Sequence, residues 1–557
     1  MSTTADEAAT GPASAVPRRA YLGTLVAACS AVFVAQASSS IPSTLNGLFQ
    51  SDLGATGDQI TWITAAFMIA VVVFEFTFGV LGDLFGRKKL VIAGTAVLLV
   101  GNIVCATATQ PHALWIGAGL MGLGAGAMLP GSLSLAAAVT RTSRTRAKAV
   151  AIWAGFLSAG GGAAPLIGGL FAHYGSWRGA FWILGVLAAL SIVLMLLFAA
   201  ESSAPEGRKL DIPGQITFAV GLILILFAAV QGPADGWGNP RIVTCFAVGT
   251  LFLAAFVLIE NRSESPILHL DLFKNRAFTV TSIAAVIGMF SFLGVGYTIS
   301  MWMGPTQHQD PLRIAVVFMI LQAPTFVLIP VMSRLLRRMS ATLMLSSGFA
   351  LMAVGSLCYT TLDVTDNRLA PFVLPSVVIG LGFALSLNSI TAVALNTVPM
   401  HLAGMASATN NMIRDLGFSL GPVVIGAVAL SQAGDQLMAE LPGSGLPADQ
   451  ITAATGIAEL GGPVAVNGIL PGQPGSAAHA LALGSLGSGL TLGFIVCGIA
   501  ATAAAVLTVL GMGRTRPAEP TGESLSDPLQ PALEAIPDVN LMNPIARREP
   551  EPRLTTD

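Results

Sequence analysis

Charged side chains are scarce in this sequence. Among 557 residues there are 27 Lys and Arg and 29 Asp and Glu, so 10% are charged, against roughly 25% in soluble globular domains. Aromatic residues are also few, at 7%, whereas hydrophobic residues reach 54% and glycines number 61. These figures exclude an ordinary water-soluble enzyme and a disordered chain, and they are typical of closely packed apolar helices in a lipid bilayer.

Other chemical features are missing as well. The net charge of −2 gives no positive field for nucleic acid. The five cysteines all lie within apolar runs, which indicates small buried side chains rather than a disulfide or metal framework. There is no phosphate-binding loop and no paired nucleophile and base, so we expect neither direct ATP coupling nor enzyme activity, and no cofactor or metal.

Long apolar runs dominate what is present. A transmembrane helix needs about 20 mostly apolar residues, and fourteen such runs occur. Their approximate limits are 21–48, 58–82, 89–109, 113–140, 148–173, 177–200, 212–232, 241–260, 277–303, 311–334, 341–362, 370–398, 402–431 and 480–512. The sequence therefore predicts an all-α integral membrane protein with fourteen transmembrane helices in the lipid bilayer.

The basic residues predict its orientation, because short cytoplasmic loops carry an excess of Lys and Arg. Nineteen Lys and Arg residues fall on one side of the predicted spans and only Arg178, Arg241, Arg313 and Arg368 on the other. An even number of spans with both termini cytoplasmic satisfies this distribution. We expect a multi-pass protein of the cell (plasma) membrane.

A weak internal repeat divides the chain. Gly161, Pro165 and Gly169 in the fifth span match Gly417, Pro422 and Gly426 in the thirteenth in type and approximate spacing. Two six-helix halves around an added helix pair, a 6 + 2 + 6 arrangement, form a transporter architecture. The predicted divisions are a disordered N-terminus 1–19, a first bundle 20–200, a linker with two spans 201–275, a second bundle 276–512 with a long external loop 433–479, and a disordered tail 513–557.

The loop after the second span carries the most specific motif. It reads Gly-Val-Leu-Gly-Asp-Leu-Phe-Gly-Arg-Lys-Lys-Leu from Gly79 to Leu90. Gly86 can turn the chain, and the basic residues that come after it hold the loop on the cytoplasmic side. Asp83 stands at the unfavourable C-terminal end of a helix dipole and needs a cation or a helix N-terminus nearby. A positive-inside loop with an accidental acid would not explain this spacing.

This motif closely resembles the loop signature of the major facilitator superfamily, and within it the chain is similar to the fourteen-helix drug:proton antiporter group of multidrug efflux type. Segments 211–214, 236–237 and 266–278 support the resemblance, which covers nearly all of 21–512. It implies two pseudo-symmetric bundles with the major facilitator fold. It also implies a charge latch that closes the cytoplasmic side, formed by Gly79, Asp83, Gly86, Arg87 and Lys88.

Two further spans match motifs of this group. The fifth is similar to its antiporter motif through Gly161, Pro165, Gly168 and Gly169, although small residues also serve general helix packing. The thirteenth resembles the second-half motif. This sequence departs from the group at two positions. The place of the usual acid of the first span falls near Phe33 and is apolar, and Ala118 stands where the fourth span usually carries an arginine. The usual form of proton coupling is therefore open to question.

Ionisable residues at membrane depth are costly and are functional candidates by default. Glu75, between two phenylalanines, is about 12 Å further along the helix than Asp83 at 1.5 Å per residue, and it is our candidate proton carrier. The alternative is a structural, protonated glutamic acid. Arg414 and Asp415 are candidates for a gate between the halves or a contact for an anionic substrate group, with a structural ion pair as the alternative.

Neutral polar residues predict the cavity. If family geometry holds, the first, fourth, ninth and twelfth spans line it. The candidates are Gln36, Ser39, Asn46, Ser134, Tyr297, Trp302 and Asn388. Any single one of these side chains can instead bond to backbone within the helix bundle. Together they describe a cavity suited to an amphipathic organic molecule.

We therefore expect a secondary active transporter that exports a hydrophobic or amphipathic small molecule, with the proton as coupling ion and alternating access as mechanism. The partners are the substrate, the proton and the bilayer, and the protein should function as a monomer. The alternatives are an importer or facilitator of a small metabolite and, from another class, a membrane sensor or scaffold without transport. A membrane enzyme is disfavoured, because no catalytic cluster occurs.

Overall fold

The computed structural model describes residues 18–140, 142–203, 210–263, 266, 270–396 and 403–512. Nearly all of the predicted N-terminal tail and the whole of the predicted tail 513–557 lie outside these residues. The described chain is helical and contains no strand. Its helices are α1 (Arg18–Ser40), α2 (Asn46–Leu53), α3 (Gly57–Phe85), α4 (Arg87–Ala106), α5 (Pro111–Ala138), α6 (Ser143–Tyr174), α7 (Trp177–Phe198), α8 (Ile212–Asp235), α9 (Pro240–Glu260), α10 (Arg276–Met301), α11 (Pro311–Arg338), α12 (Ala341–Cys358), α13 (Ala370–Asn396), α14 (Ala403–Glu440), α15 (Ala448–Asn467) and α16 (His479–Met512).

Fourteen of these helices are long and apolar enough to cross a membrane, and they coincide with the fourteen predicted spans. The short α2 and the less apolar α15 are additional. The segment 433–479, predicted as a long external loop, is largely helical: α14 continues to Glu440 and α15 comes after it. These segments are helical because they bury a small apolar cluster of their own, centred on Leu437, Leu441 and Val466.

Close backbone contacts between glycines hold the helices together and repeat in the two halves. A Cβ atom on Gly124 of α5 would collide with the carbonyl oxygen of Gly94 in α4, and one on Gly382 of α13 would collide with that of Gly348 in α12. Only glycine permits such an approach. The third and fourth spans therefore pack as the eleventh and twelfth do, which is a stronger sign of repetition than the Gly and Pro spacing in the sequence.

The added pair, α8 and α9, lies on the outside of the two halves. Phe218, Leu222 and Leu226 of α8 belong to one apolar cluster with Val72 of α3 and Val423 of α14. Burial of such side chains is worth about 1.5–3 kcal/mol each where the alternative is water, but in a bilayer close packing takes over this role. The added pair thus covers the seam where α3 of the first half meets α14 of the second.

The helix bundle has two chemically different ends. The end that carries the α3–α4 loop is called the Gly86 side. The opposite end, where α2 and α15 lie, is called the Asn46 side. On the Gly86 side the last span contacts the start of α10, because Arg276 donates to the carbonyl of Leu510. On the same side the first span contacts the end of α7, where the hydroxyl of Thr24 accepts a hydrogen bond from the backbone N–H of Ala200.

Candidate functional site

A cavity of about 1020 Å³ lies between the two halves and extends from the middle of the bundle to the Gly86 side. Its walls come from α1, α3, α5 and α6 of the first half and from α11, α13 and α14 of the second. Ten of the predicted site residues line it: Gln36, Ser39, Glu75, Gly79, Asp83, Arg87, Ser134, Gly161, Arg414 and Asp415. Residues that were separate candidates in the sequence are thus brought into one chamber.

The deepest charged group connects the two halves. The carboxyl groups of Glu75 in α3 and Asp415 in α14 lie close enough to interact, and Oε2 of Glu75 is buried without a hydrogen-bond partner among the described residues. Asp415 also accepts from Nε of Arg414 at 2.9 Å, and Nη1 of Arg414 donates to the side-chain oxygen of Asn411 at 3.3 Å. The adjacent Arg414 and Asp415 do pair with each other, although their side chains leave the helix about 100° apart.

Two carboxyl groups and one guanidinium group meet at this depth. An ionised carboxylate has no hydrogen to donate, so the two carboxyl groups can bond to each other only when one of them carries a proton. With that proton, Glu75, Asp415 and Arg414 together are neutral. Without it they carry one negative charge, and a carboxylate at this depth is costly unless it is paired or hydrated. Asp415 and Arg414 are only 9% and 19% exposed, so water gives them little compensation.

The loop motif forms a compact charged structure at the mouth of the cavity. Arg87 donates to one oxygen of Asp83 from both Nε and Nη2, at 2.9 and 2.8 Å. Nζ of Lys88 donates to two backbone carbonyls at the end of α7, and the carboxylate of Glu201 accepts from the backbone N–H of Lys88. Gly86 has a φ of 108°, which an L side chain rarely adopts. The sequence did not predict the role of Glu201.

The Asn46 side is sealed by contacts between the halves. The amide of Asn46 donates to Ser300 at 2.8 Å, and Ser300 donates to the carbonyl of Ser43 at 2.5 Å. A Cβ on Gly47 would lie 2.9 Å from the carbonyl carbon of Gly304. Helix α2 of the first half and the end of the ninth span therefore touch backbone to backbone.

A second contact deepens the seal. The hydroxyls of Thr61 in α3 and Tyr297 in α10 are 2.6 Å apart, and a ring nitrogen of His173 lies 2.7 Å from a carboxylate oxygen of Asp310 nearer the surface. Each pair joins a residue of the first half to one of the second. The cavity is thus closed at this end and extends to the other.

Helix α15 covers the seal from outside and binds both halves. Gln50 of α2 donates to the carbonyl of Val464 at 2.6 Å, while Asn467 donates to the carbonyls of Pro305 and Thr306 at 2.9 and 3.0 Å. His308 lies beside Asn467, where partial burial lowers the pKa of its ring.

The glycines of the predicted antiporter motif place α6 between the halves. A Cβ on Gly168 would collide with the hydroxyl of Thr44 next to α1, and a Cβ on Gly169 would lie 2.9 Å from the carbonyl of Pro311 in α11. Successive glycines thus face opposite halves. Pro165 lies within the same helix, so this region of α6 lacks one backbone donor.

Several cavity predictions need correction. Asn46, Tyr297 and Trp302 do not line the cavity, since they are buried in or next to the seal, and the ninth span contributes no lining residue among those described. Family geometry predicts which helices surround a central site. Which of those helices face the chamber depends on which end of the helix bundle is closed. The side chain of Asn388 lies outside the described part of the chain.

The sequence also missed lining residues of α11, α13 and α14. Gln322, Thr325, Phe383 and Phe418 face the chamber. For the polar residues the sequence offered one signal: positions 322 and 325 stand one helical turn apart in an apolar span. For the aromatic residues it offered none, because an aromatic side chain in a membrane helix can face either lipid or a cavity.

Comparison with known proteins agrees with this geometry. The family model of the Major Facilitator Superfamily matches residues 28–422. The chain is 28% identical over 515 residues to the tetracenomycin C resistance and export protein of Streptomyces glaucescens, covering 91% of this chain and 94% of that protein. It is 28% identical over 372 residues to the multidrug resistance protein Stp of Mycobacterium tuberculosis, covering 67% and 69%.

Solved structures share the fold at low identity. One is a bacterial homologue of the human lysosomal transporter Spinster, with a TM-score of 0.59, 14% identity and coverage of 90% of this chain and 100% of that chain. Another is a POT family transporter in complex with 5-aminolevulinic acid, with a TM-score of 0.60, 13% identity and coverage of 87% and 95%. The fourteen spans, the two repeated halves and the family match together show that this chain belongs to the Major Facilitator Superfamily and is a multi-pass transporter related to multidrug and antibiotic efflux proteins.

Proposed function

We propose that this protein exports a hydrophobic or amphipathic small molecule in exchange for protons, by alternating access. The observation that supports the proposal is the position of two neighbouring carboxyl groups, Glu75 of the first half and Asp415 of the second, inside a cavity that is sealed on the Asn46 side. In the proposed resting state one proton is shared by these two groups, where the two halves meet. The resistance and export proteins among the relatives support a small-molecule substrate that leaves the cell.

The proposed cycle begins with the Asn46 side sealed and the cavity extending to the Gly86 side. Substrate enters from the Gly86 side, and its arrival releases the proton shared by Glu75 and Asp415 to that side. Two carboxylates then face one another with a single arginine between them, and their repulsion favours a rearrangement of α3 against α14. The seal opens, the substrate leaves on the Asn46 side, and a proton from that side restores the neutral cluster.

In this proposal Glu75 replaces the acid that is missing from the first span. Phe33 occupies the place of that acid and Ala118 that of the usual arginine of the fourth span. The cluster of Glu75, Arg414 and Asp415 supplies acidic side chains and an arginine at the same interface between the halves. We therefore infer that proton coupling is retained with a different set of residues.

The orientation is inferred from charge. The Gly86 side carries the excess of Lys and Arg and is therefore the cytoplasmic side, with both termini in the cytoplasm of a cell bounded by this membrane. Asp83 and Arg87, with Gly79, Gly86 and Lys88, act as a latch that closes this side after the substrate has entered. The cavity lies within a single chain, so a monomer suffices for transport.

Inverted membrane vesicles with an internal pH-sensitive dye test this proposal, since their outer face is the original cytoplasmic face. In energised vesicles with an acidic interior, addition of a substrate from a panel of lipophilic drugs should release protons outward and raise the internal pH. Drug accumulation that requires sodium, or that continues unchanged when protonophores collapse the gradient, would overturn proton coupling. Accumulation only in right-side-out vesicles would make the protein an importer.

A further inference from the structure

Two glutamines from opposite halves converge in the cavity. Gln36 lies in α1 of the first half and Gln322 in α11 of the second. A Cβ placed on Gly161 of α6 would lie 3.5 Å from Cγ of Gln36 and 3.7 Å from Nε2 of both glutamines. Because Gly161 has no side chain, the space between the two amides is left free.

The polar atoms around this space have unused bonding capacity. Oε1 of Gln322 and the hydroxyl of Thr325, one turn further along α11, are buried and have no hydrogen-bond partner among the described residues. Gln36 donates from its amide to Ser39 at 3.2 Å and can donate a second hydrogen. Buried polar groups in proteins are almost always paired, so these atoms indicate a ligand that supplies both acceptors and donors.

An aromatic wall lies across the chamber. The ring of Phe383 is stacked on that of Phe292 with centroids 3.7 Å apart and an angle of 11° between planes. Phe418 lies 6.4 Å from Phe383, and both Phe383 and Phe418 line the cavity. Such a surface favours a flat, apolar ring system that can stack against it.

The cavity does not select for positive charge. Among the described lining residues the acids are Glu75, Asp83 and Asp415, and the bases are Arg87, Arg146 and Arg414. Asp83 is paired with Arg87 and Asp415 with Arg414, and in the proposed resting state Glu75 shares a proton with Asp415. In this state the chamber offers no uncompensated negative charge to a cation.

We propose that Gln36, Gln322 and Thr325 form a hydrogen-bonding subsite for the carbonyl and hydroxyl groups of a flat, uncharged aromatic compound whose rings lie against Phe383 and Phe418. This inference rests on the proposed function only in taking the cavity as the substrate site. Since the two glutamines belong to different halves, such a ligand contacts both halves at once.

Equilibrium binding to the full-length protein in lipid nanodiscs tests the subsite. The probes are a dihydroxyanthraquinone, anthracene as the matching ring system without oxygen, and ethidium as an aromatic cation. The anthraquinone should bind more tightly than either of the others. Gln36→Leu and Gln322→Leu should each weaken anthraquinone binding about five- to twentyfold, as expected for the loss of a buried hydrogen bond, and should leave anthracene and ethidium binding within about twofold.

Gln473→Leu, an exposed position outside the cavity, is the matched control and should change no affinity. Unchanged ethidium binding also shows that the cavity variants are folded. The proposal is overturned if ethidium binds more tightly than the anthraquinone, or if both cavity variants leave the difference between anthraquinone and anthracene intact. No ion gradient is present, so this result is independent of proton coupling. Failed transport with this binding pattern would count against the proposed export alone.

Discussion

The carboxyl group of Glu75 in α3 lies beside that of Asp415 in α14, across the boundary between the two halves of the transporter. In the proposed cycle this contact links two chemical events. Loss of a proton shared by the two groups weakens the contact between the halves, and movement of the halves changes the environment of the proton. Substitutions at this pair, and at the seal on the opposite end of the molecule, should therefore change transport in distinct ways.

Asp415→Asn should uncouple the proton from transport. An asparagine can donate to Glu75 without an added proton, so the contact between the two halves no longer depends on protonation. We expect export to fall at least about tenfold, the equivalent of 1.4 kcal/mol, and to lose its dependence on pH between 6 and 8. Initial export rates measure this. Wild-type rates and pH dependence in the variant would contradict it.

Arg414→Leu should destabilise the folded protein, because it leaves the buried Asp415 without its cation. Loss of one partner of a buried pair costs about 3–5 kcal/mol, and contact with the cavity reduces this to about 1–3 kcal/mol. The double variant Arg414→Leu, Asp415→Asn should regain part of the loss. Thermal unfolding in detergent measures both, and additive effects of the two substitutions would show that the pair is not coupled.

Arg87→Leu should impair transport far more than stability. The pair Asp83–Arg87 is an i, i+4 contact near the membrane surface, worth less than about 1 kcal/mol to folding. If it acts as a latch, export should nevertheless fall about tenfold or more, the loss of about 1.4 kcal/mol of coupling. The control is Lys89→Leu at the exposed neighbouring base. Equal losses of export in the two variants would indicate a general effect of loop charge.

Gly47→Ala should weaken the seal, since its added methyl group would lie 2.9 Å from the carbonyl carbon of Gly304. The seal would close less often, and export should slow several-fold. Thiol labelling of Ser300→Cys, a position now buried in the seal, should become faster in the Gly47→Ala background. Gly484→Ala, where no atom lies within 4 Å, is the control. Slow labelling in both backgrounds would show that this contact does not limit closure.

His308 should make the cover formed by α15 sensitive to acid. Its pKa lies below the ordinary value of 6.5 because burial disfavours the charged ring. The neutral ring thus stabilises the contact fully above pH 6.5, and this contribution is lost as the pH falls below that value.

Hydrogen exchange of segments 304–310 and 464–468 measures the effect of acid on the α15 cover. The amide exchange rates of these segments, corrected for their intrinsic pH dependence, should rise in the wild type when the pH is lowered from 7.5 to 5.5. The rates should rise less in His308→Asn. Equal changes in both proteins would remove the histidine as the cause.

Much of the fold could be predicted from the sequence because lipid imposes a simple rule on spans. Fourteen runs of apolar residues gave the helices to within a few residues over most of the chain. The sequence did not reveal α15, whose 20 residues are less apolar than those of the spans and include Gly462 and Pro463. Its helix depends on packing against α14 and α16, and such tertiary contacts leave little trace in local sequence.

The site could be predicted only in part. Glu75, Arg414 and Asp415 were evident as ionisable residues at membrane depth, but no spacing in one sequence shows that residues 340 positions apart lie side by side. Asn46, Tyr297 and Trp302 were placed in the cavity because polar and aromatic residues suit both a binding site and a sealed contact. The packing of the two halves decides between these roles, and it belongs to a conformation rather than to the sequence alone.

The central claim is that the carboxyl of Glu75 carries the coupled proton, and proteoliposomes can separate this from substrate binding. Glu75→Gln retains a hydrogen-bond partner for Asp415 but cannot titrate. We predict that it still exchanges labelled substrate across the membrane at equal concentrations, and no longer accumulates substrate against its gradient when a pH difference is imposed. The control, Glu440→Gln at an exposed position, should do both. Accumulation driven by pH in Glu75→Gln at the wild-type rate would contradict the account.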